Sequence, residues 1–528
     1  MKGKFRKQIL TTAGSIVALV FLLARTGGIL RAQEGEHMGG AVGRGDRHSP
    51  GWDKAMRLKG QPLPPKFPKV GVDVERVVLE NGMVVYLQED HRLPLIDAIV
   101  LVRTGTYYEP AEELGSADLV GELLRTGGTK NYPPDQLEER LDYIAANLNV
   151  SMENEQCSLS LNVPAKDAGE GLRILADVLR NPIFDESRLE LAKHQTIFSL
   201  RASNESPAPI VRREFSRLLY TEAHPAGRTP TIERIGQISR EDLIQFHDKY
   251  FHPNEIMLGL TGDFNKAAML QKVRELWGDW PAAEVSLPPL PKVNPQPKPG
   301  IFYINKQVNQ SNIRMGHWGT NRDNPDRFAI DLMNDILGGS DFSARMVERV
   351  RNDEGLAYAV GTAFPTSQRD ISFFLAAAQT RTESTVKAIQ SMLGEIHKMK
   401  VAKISRNEFE TAREMFLYSY VFRFAEPSRA LTALMRLEYE HLPQDYLEKE
   451  FAGYQAVTPE EIERVARKYL RPEELAILIV GDYSRLSEEL SRLGQPQEIH
   501  PLQFDGGDPK AEGAGFSAFL SYGSLSPH

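Results

Sequence analysis

The sequence predicts an α+β fold that is built from two homologous halves. The first observation behind this prediction is an internal repeat, in which the segment starting at Ser239 superposes without a gap on the segment starting at Thr458, at an offset of 219 residues. Each copy reads as a helix, a turn at proline, an apolar strand and a Gly-Asp pair. A repeat of this length indicates a duplicated domain, since solenoid repeats are roughly 20–50 residues long.

The second observation is a cluster of seven prolines between residues 281 and 299. Closely spaced prolines favour an extended, semi-rigid chain, so we place a linker at residues 281–300. This linker separates a first half at residues 71–280 from a second half at residues 301–495.

Length and composition exclude several classes of protein. At 528 residues the chain is too long for a single hydrophobic core, and its 41% hydrophobic and 25% charged residues are ordinary for a soluble globular protein. The net charge of −8 offers no basic surface, which argues against a nucleic-acid partner. Cys157 is the only cysteine, so neither an intrachain disulfide nor a cysteine-rich zinc site can form.

The N-terminus carries basic residues followed by an uncharged run from Gln8 to Ala24. This pattern is typical of a secretory signal peptide or an uncleaved N-terminal anchor, and we assign residues 1–32 to one of the two. Leu30 is larger than the residue that a cleavage site after Ala32 prefers, so membrane anchoring stays open. Either interpretation predicts export, to the periplasm or to a membrane face turned towards it if the cell is Gram-negative. Residues 33–70 lack periodicity and predict a disordered linker.

In the first half, Asn81-Gly82 between two apolar runs predicts a β-hairpin over Val77–Leu87. Periodicity predicts further strands and helices at Ile96–Val102 (strand), Leu137–Leu148 (helix), Leu159–Val163 (strand), Gly169–Leu179 (helix) and Arg188–Ala202 (helix). His224 lies in a proline-containing turn, where we expect no metal.

In the second half, the pattern predicts elements at Ile301–Ile304 (strand), Ser311–His317 (strand), Arg327–Leu337 (helix) and Phe409–Phe424 (helix). The aromatic stripe of the last helix is typical of a core-facing surface. Periodicity is lost after about Arg492, so residues 496–528 are predicted to form a disordered tail.

Arg351 and Tyr358 are joined through Gly355-Leu356-Ala357 and follow a Gly-Gly loop. Together with the hairpin and the repeat, this segment resembles the insulinase (pitrilysin) family of zinc metallopeptidases, which includes proteins similar to the mitochondrial processing peptidase. The resemblance covers roughly Val74 to Gly494. It implies that each half consists of two α/β-sandwich subdomains and that the halves form a clam shell.

The resemblance also implies an inverted zinc motif, His-x-x-Glu-His, on an early helix. That chemistry needs two imidazoles one helical turn apart and a glutamate beside the metal-bound water. In this chain Asp118 and Glu122 stand at the histidine positions, and Gly121 stands at the position of the general base. The third ligand of the family, a glutamate on a later helix, falls at Ser199, and a register shift of one or two residues would not restore it.

All the expected zinc ligands and the base are therefore replaced, and we expect this chain to hold no metal. Asp118 and Glu122 could still bind a hard cation weakly, although a solvated helix face is the favoured interpretation. In dimeric members of the family one subunit holds zinc and the other supplies the Arg/Tyr pair or a scaffold. The resemblance thus implies a zinc-less subunit, a zinc-bearing homologous partner and a peptide substrate.

In that hypothesis Arg351 and Tyr358 act in trans. Arginine offers fixed donors for a peptide carbonyl, and a tyrosine hydroxyl can donate to a forming oxyanion. Two alternatives stay open. The chain could be a structural or peptide-binding homologue, like the core subunits of respiratory complexes, or a peptidase that uses an atypical metal site at Asp118 and Glu122.

Overall fold

A computed structural model of the protein describes residues 66–504, except residues 297, 341 and 342. The predicted signal or anchor segment, most of the following linker and the end of the predicted tail lie outside the described residues. Within the described part of the chain, no helix is long and apolar enough to cross a membrane. The protein combines helices with two six-stranded sheets, one in each half, which confirms the predicted α+β class and its duplication.

The first half is built on a sheet with the strand order β1-β2-β6-β3-β5-β4. Its strands are β1 (Glu75–Val78), β2 (Val84–Glu89), β3 (Leu95–Val102), β4 (Asn147–Met152), β5 (Cys157–Pro164) and β6 (Ile256–Gly262). Its helices are α1 (Ser116–Thr126), α2 (Pro134–Tyr143), α3 (Ala168–Arg180), α4 (Glu186–Ala202), α5 (Pro207–Tyr220), α6 (Ile232–Gln237), α7 (Arg240–Tyr250) and α8 (Lys266–Trp277).

The second half repeats this plan with the strand order β12-β7-β11-β8-β10-β9. Its strands are β7 (Gly300–Asn305), β8 (Gln310–Trp318), β9 (Ala357–Ala363), β10 (Phe373–Arg381), β11 (Ala476–Gly481) and β12 (Pro496–Glu498). Its helices are α9 (Arg327–Asn334), α10 (Thr385–Val401), α11 (Arg406–Phe422), α12 (Pro427–Tyr439), α13 (Tyr446–Ala456), α14 (Pro459–Tyr469) and α15 (Ser487–Ser491). Two wide, π-type helical turns, Asp335–Gly339 and Val347–Asp353, lie between α9 and β9.

The internal repeat has the same local structure in both copies. Ser239 and Thr458 each cap the following helix, α7 or α14, with a side-chain oxygen that accepts from the third residue of the helix, while that residue's carboxylate accepts from the capping residue's N–H. This reciprocal capping satisfies two backbone donors that a helix N-terminus leaves free. The strands that follow, β6 and β11, are buried along almost their whole length, as their apolar runs predict.

The two halves interlock by exchanging equivalent helices. Helix α5 of the first half packs on β8 and β11 of the second sheet, where Phe215 is fully buried. Its counterpart in the second half, α12, packs on β2, β3 and β6 of the first sheet through Leu431 and Met435. Gly259 permits this contact, because a Cβ at this position would lie 2.4 Å from the Met435 sulfur. Each buried side chain of this kind contributes about 1.5–3 kcal/mol.

The structure corrects the predicted helix over Leu137–Leu148. Helix α2 ends at Tyr143, and residues 147–152 form the edge strand β4 instead. Ala145 has a φ of +50°, a left-handed conformation that stops a helix. The next segment becomes a strand by pairing with β5, which follows it in the chain after residues 153–156.

The start of the predicted tail is also ordered. Strand β12 pairs with β7 in parallel, and Phe504 is buried in the core of the first half. Asn204 donates from Nδ2 to the carbonyl of Leu502 at 2.8 Å. This segment has no periodicity of its own, because its order comes from contacts with both halves.

Candidate functional site

Helix α1 carries the degenerate metal motif. Its N-terminus is capped by the buried Glu109, whose carboxylate accepts from the N–H of Gly115 at 3.3 Å and from the N–H of Ala117. Burial raises the pKa of Glu109 to about 8. Helix α1 packs against β4, α4 and α7, so its orientation is set by the core of the first half.

Asp118 and Glu122 lie one turn apart on α1, and both side chains are exposed. Neither carboxylate forms a hydrogen bond or an ion pair with any residue that the structure describes. The surrounding protein still withdraws part of their hydration, which raises the pKa of both carboxyls above the ordinary value. The pair has the geometry of a solvated helix face, and its oxygen atoms are poor ligands for zinc compared with imidazole or thiolate.

Gly121, at the position of the general base, is buried against β4. A Cβ on this residue would lie 2.7 Å from the Cβ of Met152, so a glutamate could not enter without moving the strand. Ser199 is exposed on α4. Among residues 66–504, as far as they are described, no group of three or more His, Cys, Asp or Glu side chains is placed to hold a metal ion. The residues at the family's zinc position therefore do not fit the metal.

One carbonyl at the edge of the first sheet beside this helix is occupied by a side chain. Arg125 donates from Nε to the carbonyl of Leu148 on β4 at 2.8 Å, and its guanidinium also pairs with Glu138. A side chain that uses an edge carbonyl in this way leaves one acceptor fewer for an added strand.

Arg351 and Tyr358 lie side by side in the second half. The guanidinium carbon of Arg351 is 6.0 Å from the centroid of the Tyr358 ring, which places the cation over the aromatic face. Tyr358 is 81% exposed, and Arg351 is exposed as well. Arg351 forms no ion pair with a described residue, so both polar groups are available to a ligand.

The turn between these two residues is well anchored. Gly355 has a φ of +60°, and Arg349 pairs with Glu354 at 2.7 Å. Strand β9 then pairs with β10 through an irregular register in which Ala357 and Ala359 face consecutive residues of β10. Tyr358 is therefore the extra residue of a β-bulge, and a bulge of this kind turns its side chain out of the sheet.

Strand β9 is the edge of the second sheet, since it pairs only with β10. The wide turn Asp335–Gly339 lies against the middle of this strand. A Cβ on Gly338 would be 2.9 Å from the backbone nitrogen of Thr362, and the Gly338 carbonyl oxygen is 3.1 Å from the position of a Cβ on Gly361. The close approach needs glycine at residue 338, whereas Tyr358 and Ala359 at the start of β9 are exposed.

A cavity of about 1070 Å³ lies between the halves, and Asp118 lines it. Its aromatic lining includes Tyr220 and His224, whose rings stack at 5.0 Å. His224 accepts from the N–H of Ala226 through Nδ1 at 3.1 Å, which agrees with the turn role predicted for it. Arg351 and Tyr358 do not line this cavity. The structure therefore keeps the two predicted sites apart within one chain.

Sequence reasoning missed two sets of carboxyl groups. The role of Glu109 could not be recognised from the sequence, because its hydrogen-bond partners are backbone N–H groups. Asp331 and Asp335 did have a sequence signal: together with Asn334 they repeat the i, i+3, i+4 spacing of the degenerate motif, along α9 and the first residue of the turn that follows it.

Two family profiles match consecutive parts of the chain. The profile described as "Insulinase (Peptidase family M16)" matches residues 84–228, and the one described as "Peptidase M16 inactive domain" matches residues 237–416. A protein of Rickettsia felis named "Uncharacterized zinc protease" is 23% identical over 410 residues, which are 76% of this chain and 90% of that protein. The "Non-peptidase homolog YmxG" of Helicobacter pylori is 24% identical over 403 residues, 75% of this chain and 91% of that protein.

The fold is also found in a solved structure. The crystal structure of a peptidase M16 inactive domain from Pseudomonas fluorescens has a TM-score of 0.69 and 22% sequence identity, and the match covers 78% of this chain and 98% of that one. The two profiles match successive segments that together include parts of both halves, which agrees with this fold. The chain belongs to the insulinase (peptidase M16) family and contains both of its domains, as the resemblance predicted.

Proposed function

We propose that this protein is the zinc-less subunit of a two-chain insulinase-family metallopeptidase. In this proposal a homologous partner holds the zinc ion, and the present chain supplies Arg351 and Tyr358 to the partner's site. The observation that carries the proposal is the contrast between the two sites. Arg351 and Tyr358 are exposed and adjacent at the start of an edge strand, whereas Gly121 and its neighbours lack the imidazoles and the general base that zinc chemistry needs.

The geometry around Tyr358 suits an extended peptide. A peptide can add to a sheet edge by main-chain hydrogen bonds, and the first residues of β9 offer such an edge. The bulge turns the Tyr358 hydroxyl outward, where it would donate to the oxygen that becomes negative as the peptide carbonyl is attacked. The Arg351 guanidinium would hold a neighbouring carbonyl, since its donors are fixed in a plane.

The high exposure of Tyr358 supports a role in trans. A tyrosine that stabilises its own fold usually buries its ring, because the ring contributes through its apolar area. At 81% exposure this ring contributes little to the core of the second half. An oxyanion donor also works best where water is excluded, so the site would become complete only when a partner covers it.

Co-expression tests the proposal. The chain is purified alone and together with a homologue from the same host that carries His-x-x-Glu-His, and peptidase activity and zinc per subunit are measured. We expect chelator-sensitive activity only from the pair, with zinc in the partner. Chelator-sensitive peptidase activity from the isolated chain would contradict the proposal.

We also propose that the protein works outside the cytoplasm, either in the periplasm or anchored to the membrane facing it. The basic N-terminus and the uncharged run that follows support export. Cell fractionation, with N-terminal sequencing of the mature protein, would separate a cleaved signal peptide from a retained anchor. Recovery of the full chain from the cytosol would contradict this part of the proposal.

A second candidate function is a structural or peptide-binding homologue without any catalytic role. It accounts equally well for the close packing of Gly121 against Met152, and in it Arg351 and Tyr358 have no catalytic role. The gene neighbourhood discriminates the two. An adjacent gene that encodes the zinc motif but lacks the Arg/Tyr pair would favour the split enzyme. Metal analysis of the purified chain tests the third alternative, an atypical site at Asp118 and Glu122.

A further inference from the structure

The cavity of about 1070 Å³ between the halves adjoins a second cavity of about 780 Å³. Volumes of this order can enclose a drug-sized ligand. Neither Arg351 nor Tyr358 lines either cavity, so both cavities are separate from the site of the proposed function. The two cavities form one groove, and the residues that line both of them mark its junction: Gln156, Ser367, Arg436 and Glu440.

Gln156 places a buried amide at this junction, in the loop between β4 and β5. The residue is only 8% exposed, and its side chain forms no hydrogen bond with any residue that the structure describes. A buried amide without a partner costs free energy. Because its carbonyl accepts and its NH₂ group donates, this amide is available to a main-chain N–H or carbonyl group of a ligand.

Arg436 places a guanidinium without an anionic partner at the same junction. It is exposed on α12, and its side chain forms no ion pair or hydrogen bond within the described part of the chain. Glu440, four residues further on, could pair with it across one helical turn. However, Arg322 already pairs with the Glu440 carboxylate and donates to the Glu440 carbonyl oxygen at 3.2 Å. The Arg436 guanidinium is therefore left to bind an anion that a ligand supplies.

Two further arginines that line the larger cavity are held by the protein itself. Arg369 pairs with Glu155 at 2.8 Å. The guanidinium carbon of Arg103 lies 4.6 Å from the centroid of the Tyr439 ring, and the Tyr439 hydroxyl donates to the carbonyl of Glu155 at 2.7 Å. These contacts join the two halves and fix the wall of the groove, so we assign the binding of an anion to Arg436.

The two ends of the groove differ in their chemistry. The larger cavity carries aromatic rings, including those of Tyr107, Tyr220 and His224. The smaller cavity is lined by three cross-strand pairs of uncharged polar residues from β4 and β5, which are Asn147 with Asn162, Asn149 with Ser160, and Ser151 with Ser158. Asparagine is depleted in strands, so strand propensity does not explain this polar face. Hydrogen-bonding groups at one end and rings at the other suit an extended peptide.

We propose that this groove is a binding site for a peptide that carries a carboxylate at the junction. The carboxylate pairs with Arg436, and the Gln156 amide bonds a main-chain group beside it. A guanidinium can bind a carboxylate through two parallel hydrogen bonds, which fix its orientation as well as its position. The carboxylate is either an acidic side chain or the C-terminus of the peptide. The site uses neither zinc nor the Arg/Tyr pair, so it does not depend on the proposed function.

Isothermal titration calorimetry of the complete chain, without a partner or zinc, tests the site. Three short, N-acetylated peptides of alanine and serine are compared. One also contains glutamate and has an amidated C-terminus, one contains glutamine and has a free C-terminus, and one contains glutamine and is amidated. We expect the third not to bind, and the binding of the first or the second identifies the source of the carboxylate. If neither bound at concentrations up to about 1 mM, or if the third bound equally well, the proposal would be wrong.

Two variants separate binding from folding. Arg436→Gln should weaken the binding of that peptide by roughly ten- to hundredfold, because hydrogen bonds between two charged groups are lost. Gln156→Leu should weaken binding as well, but it should keep or raise the thermal stability of the free chain, since it removes a buried amide that has no partner. A purely structural role of Gln156 would instead lower the stability and leave the affinity unchanged.

The matched control is Arg351→Gln. Arg351 also lacks an ion pair with a described residue, but it lies outside the groove, so this variant should bind the peptide as the wild type does. Equal affinity of the wild type and Arg436→Gln would overturn the proposal, as would a loss of affinity confined to Arg351→Gln. Inactivity of the two-chain enzyme would instead count against the proposed function alone.

Discussion

The two halves share one plan but differ at the outer edge of the sheet. In the first half Arg125 occupies the Leu148 carbonyl of the edge strand β4, and Gly121 of the adjacent helix packs against Met152. In the second half the edge strand β9 begins with an outward-turned tyrosine beside an unpaired arginine. A duplicated fold can thus close a site in one copy and keep a binding edge in the other without changing its core.

The exchange of α5 and α12 explains why the halves can differ in this way. Each sheet is covered by a helix from the other half, so the core of either half depends on both. Residues in that interface cannot change freely, whereas residues at the sheet edges can. The difference in function is therefore expected at β4 and β9, and the following experiments test it there.

The largest effect is expected from Tyr358→Phe in the two-chain enzyme. Loss of one oxyanion donor should lower kcat by roughly 10²–10³ while leaving assembly intact. Tyr143→Phe is a matched control, because Tyr143 is 79% exposed in the first half and also lies beside an arginine, 4.8 Å from the guanidinium carbon of Arg140. If the two-chain enzyme stayed fully active with Tyr358→Phe, the role assigned to Tyr358 would be wrong.

The second prediction concerns restoration of the general base. Gly121→Glu should lower the free energy of unfolding by about 1–3 kcal/mol, because the new side chain meets the Cβ of Met152 in a packed site. Urea unfolding measures the change. The exposed replacements Asp118→His and Glu122→His should stay within about 0.5 kcal/mol of the wild type. If all three variants were equally stable, the space between Gly121 and Met152 would be large enough for a side chain.

The third prediction is that the two halves contribute to the pH dependence of the free energy of unfolding over different pH ranges. The native pKa of Glu109 is about 8, above the 4.5 of a free glutamate, so its contribution to stability is complete below pH 4.5 and is lost as the pH rises through 8. Between pH 6 and 8 the free energy of unfolding should fall by roughly 2 kcal/mol, at 1.36 kcal/mol for each pKa unit.

Glu109→Gln should abolish that decline between pH 6 and 8. Below pH 6 it should leave only the part of the decline that Asp331 and Asp335 of the second half produce. Thermal unfolding across this pH range provides the measurement. If stability still fell by the same amount between pH 6 and 8 in Glu109→Gln, another group would titrate in that range.

The smallest effect is expected from Arg125→Gln. It removes the hydrogen bond to the carbonyl of Leu148 and the pairing with Glu138, which should lower the free energy of unfolding by about 1 kcal/mol. The control Arg140→Gln breaks an ion pair with Glu170 on the surface and should have a smaller effect. If the two variants were equally stable, Arg125 would not hold the edge of β4.

Most of the fold could be predicted because its signals are local. The Asn81-Gly82 turn, the capped helices of the repeat and the apolar strands depend on short-range preferences, and each is present in the structure. Strand β4 could not be predicted, since its sequence is compatible with a helix and only pairing with β5 decides its state. The ordered residues up to Phe504 escaped prediction for the same reason.

For the candidate site, the residue types alone determined that an imidazole, a base and a third ligand are missing at Asp118, Gly121, Glu122 and Ser199. They also determined that Arg351 and Tyr358 stand seven residues apart. Only the tertiary structure decided that Gly121 has no space for a side chain, that a bulge turns Tyr358 outward and that Gly338 lies against β9. The reason is that chemistry resides in a side chain, whereas space, exposure and proton affinity depend on neighbours that the chain brings together only when it folds.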